Sequence, residues 1–351
     1  MLHRDTAEIK TFMNRKLLAA SVMIAAIGAV SASAGAMTIT PNFESSITGS
    51  SNAGTIESDI NNALTFYDQN VLNPITVSID FGISTNASYL GQSSSTNYSP
   101  SYNTYTSDML SNATTYGNAI ELSAYSNLQY GNDKNGAENM TVTAPDMRAI
   151  TGDSSYNGNY DTSGNYVGRN GTVDGVITLN ATDLSGFGYN GSFSPGRVIQ
   201  HEVDEILGIG GSGSTLRSSS TPATTFGPMD LFRYSAPQTP SYTNSSTATS
   251  YFSIDGGTIN LVNFNQNPGT NGQTGGDFGD WSSEGTTGNY VQLAFTSSSQ
   301  GAASISATSP EGIALQAIGY EVAVPEPSTV ALFGGLLIGL GLLRRRATQK
   351  T

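Results

Sequence analysis

"RVIQHEVDEILGIGG", residues 197–211, decides how this chain is read. Val198, Ile199, Ile206 and Leu207 recur at helical spacing and would root one face of a helix in a core. His201 and Glu205 stand four residues apart, so on that helix they lie one turn apart on the same face and can reach one cation. Imidazole nitrogen and carboxylate oxygen both suit zinc at about 2.0–2.2 Å. Glu202 sits about 100° further round. From there it can take a proton from an attacking water and return it to a leaving amine. Gly208 lets the chain turn away directly after the second ligand. Glutamate is so sparse that finding it at both +1 and +4 of a histidine is roughly a one-in-a-thousand event by composition. The alternative is an exposed acidic helix with an incidental histidine.

Around this helix the 351-residue chain is polar but weakly charged, with 37% hydrophobic and 12% charged residues. It has no cysteine, which excludes disulfides, thiolate nucleophiles and cysteine-bound metal. The formal net charge is −13. Eight of the 14 Lys and Arg lie in the two ends, so residues 37–324 hold six basic side chains against 24 acidic ones. A surface that acidic repels phosphate backbones, and nucleic acid is not an expected partner. His201 is the only histidine outside the first 36 residues, since the other is His3. A Ser-His-Asp reading has no histidine to spare, and no phosphate-binding glycine motif follows a strand.

Both ends read as addresses. Residues 1–36 form an N-terminal extension and secretory signal, with Met13 as a second candidate start. Arg15 and Lys16 precede the apolar run Leu17–Val30, and Ala32-Ser33-Ala34 offers a cleavage site. Residues 323–351 hold "VPEPSTVALFGGLLIGLGLLRRRATQKT": a Pro-Glu-Pro-Ser turn, a short Gly/Leu-rich membrane stop, then Arg344-Arg345-Arg346 as a cytoplasmic anchor. This three-part tail resembles the PEP-CTERM sorting signal. The resemblance implies recognition by an exosortase in a Gram-negative bacterium, with a transient inner-membrane anchor. The expected destination is the cell surface, outer membrane or extracellular matrix.

Residues 37–322 read as one domain. A first strand in "MTITPNFE" is followed by an amphipathic helix through Ile56, Ile60, Leu64 and Tyr67. "ITVSIDFGI" alternates as a half-buried strand, residues 84–106 read as a long surface loop, and a helix is expected near 105–115. Residues 152–171 read as loop, "DGVITLNATDL" as an edge strand ahead of the His201 helix, and 211–225 as Gly/Ser/Thr-rich chain. "SYFSIDGGTINLVNF" reads as a hairpin around Asp255-Gly256-Gly257, and "SPEGIALQAIGYEV" as a capped terminal helix. The class is α+β, with a mixed sheet, an active-site helix and a loop-rich C-terminal part.

"HEVDEILG" is similar to the H-E-x-x-H-x-x-G core of the metzincin group of zincin metalloproteases. It is closer to an H-E-x-x-E-x-x-G variant in a group of PEP-CTERM-tagged predicted metalloproteases. That group's "DLFRYSAP", "YFSIDGG", "GDFGDW" and "ALQAIGY" segments stand here at 230–237, 251–257, 276–281 and 314–320. The resemblance implies a secreted, zinc-dependent metalloendopeptidase of zincin-like fold, acting on protein or peptide substrates. A monomer is the expectation. The rival is a non-catalytic surface or biofilm-matrix protein on a zincin-derived fold.

The metzincin third ligand would fall at Gly211, which has no side chain, so an oxygen ligand must substitute. Asp230 is the candidate, because an unpaired carboxylate in the apolar run "GPMDLFRY" would be costly. Capping a turn or pairing with Arg233 is the competing role. One histidine and two carboxylates make a harder site, open to manganese or calcium as well as zinc. Tyr234 is a candidate hydrogen-bond donor to the oxyanion, with core packing as its alternative. Asp153, Asp161, Asp277 and Asp280 are candidate calcium positions by oxygen density, and structural calcium is therefore a further expectation.

Overall fold

The computed structural model describes residues 36–128, 139–168, 171–210, 225–266, 276–283 and 288–323. The signal segment and nearly all of the C-terminal tail lie outside the described residues, as does the Gly/Ser/Thr-rich stretch at 211–224. Among the described residues no helix is long and apolar enough to cross a membrane.

Strand β1 (Thr38–Phe43) leads through helix α1 (Ala53–Asn70) to β2 (Thr76–Ser84), which lies parallel to β1 with Ile39 opposite Val77. An edge strand, β3 (Gly91–Ser95), comes next. Helices α2 (Tyr102–Tyr116), α3 (Ala119–Ser126) and α4 (Ala144–Thr151) follow. Strand β4 (Gly175–Asn180) then pairs parallel to β2 and antiparallel to β3, giving a mixed sheet in the order β1-β2-β4-β3. The α+β reading with a mixed sheet therefore holds. Two details differ from expectation. The strand at 175–180 is interior, and the edge is β3, inside what reads in sequence as surface loop.

Helix α5 (Pro195–Leu207) carries the opening motif. Val198, Ile199, Val203, Ile206 and Leu207 are buried on its inner face. The helix ends where Gly208 adopts φ +110°, its amide donating to the Asp204 and Glu205 carbonyls. Helix α1 packs beside it. The Tyr67 hydroxyl donates to Asp204 Oδ1 at 2.7 Å, and Gln200 Nε2 donates to the Ala63 carbonyl at 3.1 Å.

The C-terminal part is loop-rich, as expected. Its strands β5 (Arg233–Ala236), β6 (Thr239–Pro240), β7 (Tyr251–Phe252) and β8 (Val262–Asn263) form a small antiparallel sheet. The hairpin around Asp255–Gly257 is the β7–β8 connection. Trp281 is fully buried against Phe252 and Phe264, with ring centroids 5.6 and 5.2 Å away. Helix α6 (Pro310–Ala317) closes the core, capped by Ser309 through the Gly312 amide.

Beneath α6, Glu121 is buried, and only its Oε2 meets a donor, Asn112 Nδ2 at 3.0 Å. Desolvation first, with help from Glu321 and Asp146, raises its pKa to about 9 against the Asn112 hydrogen bond. A raised folded-state pKa means the protonated form is favoured by folding. Its contribution is complete below the unfolded value of 4.5 and is lost as pH rises towards 9. Glu121→Gln should accordingly exceed the wild type in Tm by several degrees at pH 8 and by little at pH 4.5. A Tm difference that does not grow with pH in thermal unfolding would contradict this placement.

Candidate metal centre

Helix α5 presents His201 and Glu205 towards a cleft of about 650 Å³. His201 Nε2 stands 3.6 Å from Glu205 Oε1 and 3.8 Å from Asp280 Oδ2. One ligand atom from each of the three falls within 4.8 Å of the others, and among the described residues this is the one such group of His, Asp and Glu. Two ligands each about 2.1 Å from a tetrahedral ion sit about 3.4 Å apart, so the observed spacings suit a single cation with little movement.

The imidazole is oriented for this. His201 Nδ1 lies 3.2 Å from the Val291 carbonyl, which can only accept, so Nδ1–H donates there and Nε2 faces the carboxylates. Ser93 of β3 donates to Glu205 Oε2 at 2.5 Å. Gln292 Nε2 donates to Asp280 Oδ1 at 3.0 Å and lies 3.3 Å from His201 Nε2. Asp280 is itself held by its neighbours. Its carbonyl accepts from the Asn265 amide at 2.7 Å, and the next residue is the buried Trp281. Gly210 has no side chain at the point where one would meet Gln292 Nε2 and Asp280 Oδ1.

Charge is concentrated here. Burial works against the His201 imidazolium, but Asp280, Glu205 and Glu202 outweigh it and raise its pKa well above the histidine norm. Burial and Glu205 hold the Asp280 carboxyl up, while His201 and Gln292 pull it down, leaving it at about 7. Glu202 is 5% exposed and lines the same cleft. Burial, then the Glu205 charge, push its pKa well above the carboxylate range against the pull of His201. The Glu202 side chain lies against β3, where a Cβ on Gly91 would come within 2.5 Å of Oε1.

The other sequence candidates stand outside this group of three. Asp230 does not join the group. Its Oδ2 accepts from the Gly227 amide at 2.9 Å, closing a turn, and it lines a separate cavity of about 290 Å³ that reaches Glu205 from another side. The third member of the group is instead Asp280. Asp277 lines the cleft beside it, its pKa raised by burial and Glu205. Tyr234 is buried and donates to the Asn127 carbonyl at 3.0 Å, away from the cleft. Asp153 and Asp161 close local turns, accepting from the Ser155 amide and from the Ser163 and Asn165 amides. Gln292 and Ser93 carry no signal in the sequence, being uncharged residues far from the motif.

The remainder of the cleft is lined by apolar side chains and by β3. One wall is apolar, with Phe193, Val198, Leu293 and Phe295. Strand β3 borders the space through Gly91, Gln92 and Ser93, and among the described residues its outer edge has no partner strand. No curated protein and no solved structure matches the chain. The PEP-CTERM protein-sorting motif matches at residues 323–346, which points to an exported protein sorted through the exosortase pathway.

Proposed function

We propose that the exported domain is a metal-dependent peptidase. The observation that carries this is the convergence of His201, Glu205 and Asp280 on one point, beside Glu202, in a cleft bordered by β3, an edge strand among the described residues. A divalent ion there would supply Lewis acidity and favour hydroxide over water at neutral pH. Zinc is the first choice for a site with an imidazole, and manganese or calcium fit its two carboxylates.

The chain's own residues would do the remaining work. Strand β3 would pair its free edge with an extended peptide, holding the scissile bond along α5. Ser93 and Gln292 would fix the two carboxylate ligands, and the Val291 carbonyl would fix the imidazole tautomer. Glu202 would accept the proton of the attacking water and pass it to the leaving amine. A site with two anionic ligands should acidify water less than a three-histidine site, so turnover should be slow by the standards of histidine-rich peptidases.

Metal analysis of the purified full chain tests the assignment. The wild type should hold about one equivalent of a transition metal, and His201→Ala and Asp280→Asn should each lose at least tenfold in affinity. Equal metal content in all three proteins would remove the centre. A metal-free wild type would favour the non-catalytic matrix protein.

A further inference from the structure

The sheet has a second face, turned away from α5, and it carries a buried carboxylate that the candidate peptidase site does not use. Along β2, Val77, Ile79 and Phe81 face the helices, and Ser78, Asp80 and Gly82 face the other way. Asp80 is fully buried at mid-strand, and neither of its carboxylate oxygens has a donor in hydrogen-bond geometry. A lone carboxylate in that state is costly unless a cation meets it.

Other oxygens gather at the same spot. Glu44, just past the end of β1, and the turn Asp161–Asn165, from the loop that covers this face, both reach it. A Cβ on Gly164 would lie 3.0 Å from Glu44 Oε1 and 3.6 Å from Asp80 Oδ2, so the two carboxylates flank one point beneath the turn. The turn is closed by the Gly164 amide donating to the Asp161 carbonyl at 3.1 Å and by Asp161 Oδ1 accepting from the Ser163 and Asn165 amides. Those bonds engage the turn's amides, while Asp80 lies under it. Burial raises Asp80 to about 6, and Glu44 and Asp161 add to this.

We infer that Asp80 and Glu44, roofed by the Asp161–Asn165 turn, form a binding site for a hard divalent cation of the calcium class. The donors are all oxygen, with no imidazole or thiolate, which suits calcium over zinc. The ion would neutralise the buried carboxylate and pin the 156–168 loop to the sheet. The site lies on the opposite sheet face from His201, and its existence does not depend on the peptidase reading.

The test is a calcium titration of the full chain after exhaustive chelation, read by calorimetry and by Tm. One calcium should bind, and at 100 times Kd the Tm should rise by about 5 °C. His201→Ala should respond like the wild type. Asp80→Asn should lose the response and, without calcium, melt at or above the chelated wild type at pH 7, because the uncompensated charge is gone. Glu44→Gln, which keeps Asp80, should weaken Kd at least tenfold. Calcium binding of wild-type strength in Asp80→Asn, or no saturable binding by the wild type, overturns the inference. If Asp80→Asn does not fold, an unchanged Kd in Glu44→Gln overturns it alone.

Discussion

Glu202→Gln should lower peptide cleavage by about 10²–10⁴-fold while leaving the metal in place. The amide has the shape of the carboxyl group but cannot accept the proton of the attacking water. The three groups that converge on the metal point are His201, Glu205 and Asp280, and none of them is altered. Glu202 is buried against β3, and a neutral side chain of the same shape should disturb the fold little. Two readouts are needed together. The first is kcat/KM on a quenched extended peptide, and the second is metal content of the same preparation. His201→Ala should lose both activity and metal, whereas Glu202→Gln should lose activity alone. Wild-type kcat/KM in Glu202→Gln would sink the general-base role even if the metal centre stands.

The difference between what the sequence showed and what it concealed follows from range. His201, Glu202 and Glu205 were legible because helix geometry alone places them, four residues or fewer apart. The third group was not, since Asp280 joins His201 from 79 positions along the chain, and no local period records such a return. "GDFGDW" did read as oxygen-rich, but only the packing of Trp281 on Phe252 and Phe264 aims Asp280 at His201. Asp230 stands outside the group for a physical reason. A buried carboxylate needs a donor, and the Gly227 amide three residues earlier supplies one.

Strand β3 was hidden differently. "GQSSS" has no apolar alternation, because an edge strand beside a cleft is held by backbone pairing to β4 rather than by side-chain burial. Helix α4 was hidden by the opposite condition. It is buried nearly all round, Asp146 and Arg148 included, so no polar face marks its period.

Arg148→Ala should cost about 3–5 kcal/mol, because it strands a buried carboxylate. Arg148, on α4, grips Asp174 with two bonds, Nη1 to Oδ1 and Nη2 to Oδ2, both 2.8 Å. Their side chains are 10% and 4% exposed. The guanidinium also donates to the Thr76 carbonyl at 3.0 Å, and Asp174 Oδ2 accepts from the Ser78 amide at 2.9 Å. One ion pair thus ties α4, the start of β2 and the entry to β4 together. Alanine removes the cation and leaves Asp174 facing a single amide. Adding Asp174→Asn to the same chain should recover part of the loss, since the amide carries no charge to be compensated. Chemical denaturation of the two variants and the wild type measures this. A cost below about 1 kcal/mol for Arg148→Ala would mean the pair is screened like a surface ion pair. The consequence should extend to the metal centre. Strand β4 is the partner of β3, and β3 holds Ser93 against Glu205, so loosening the entry to β4 should weaken metal retention before the whole domain unfolds.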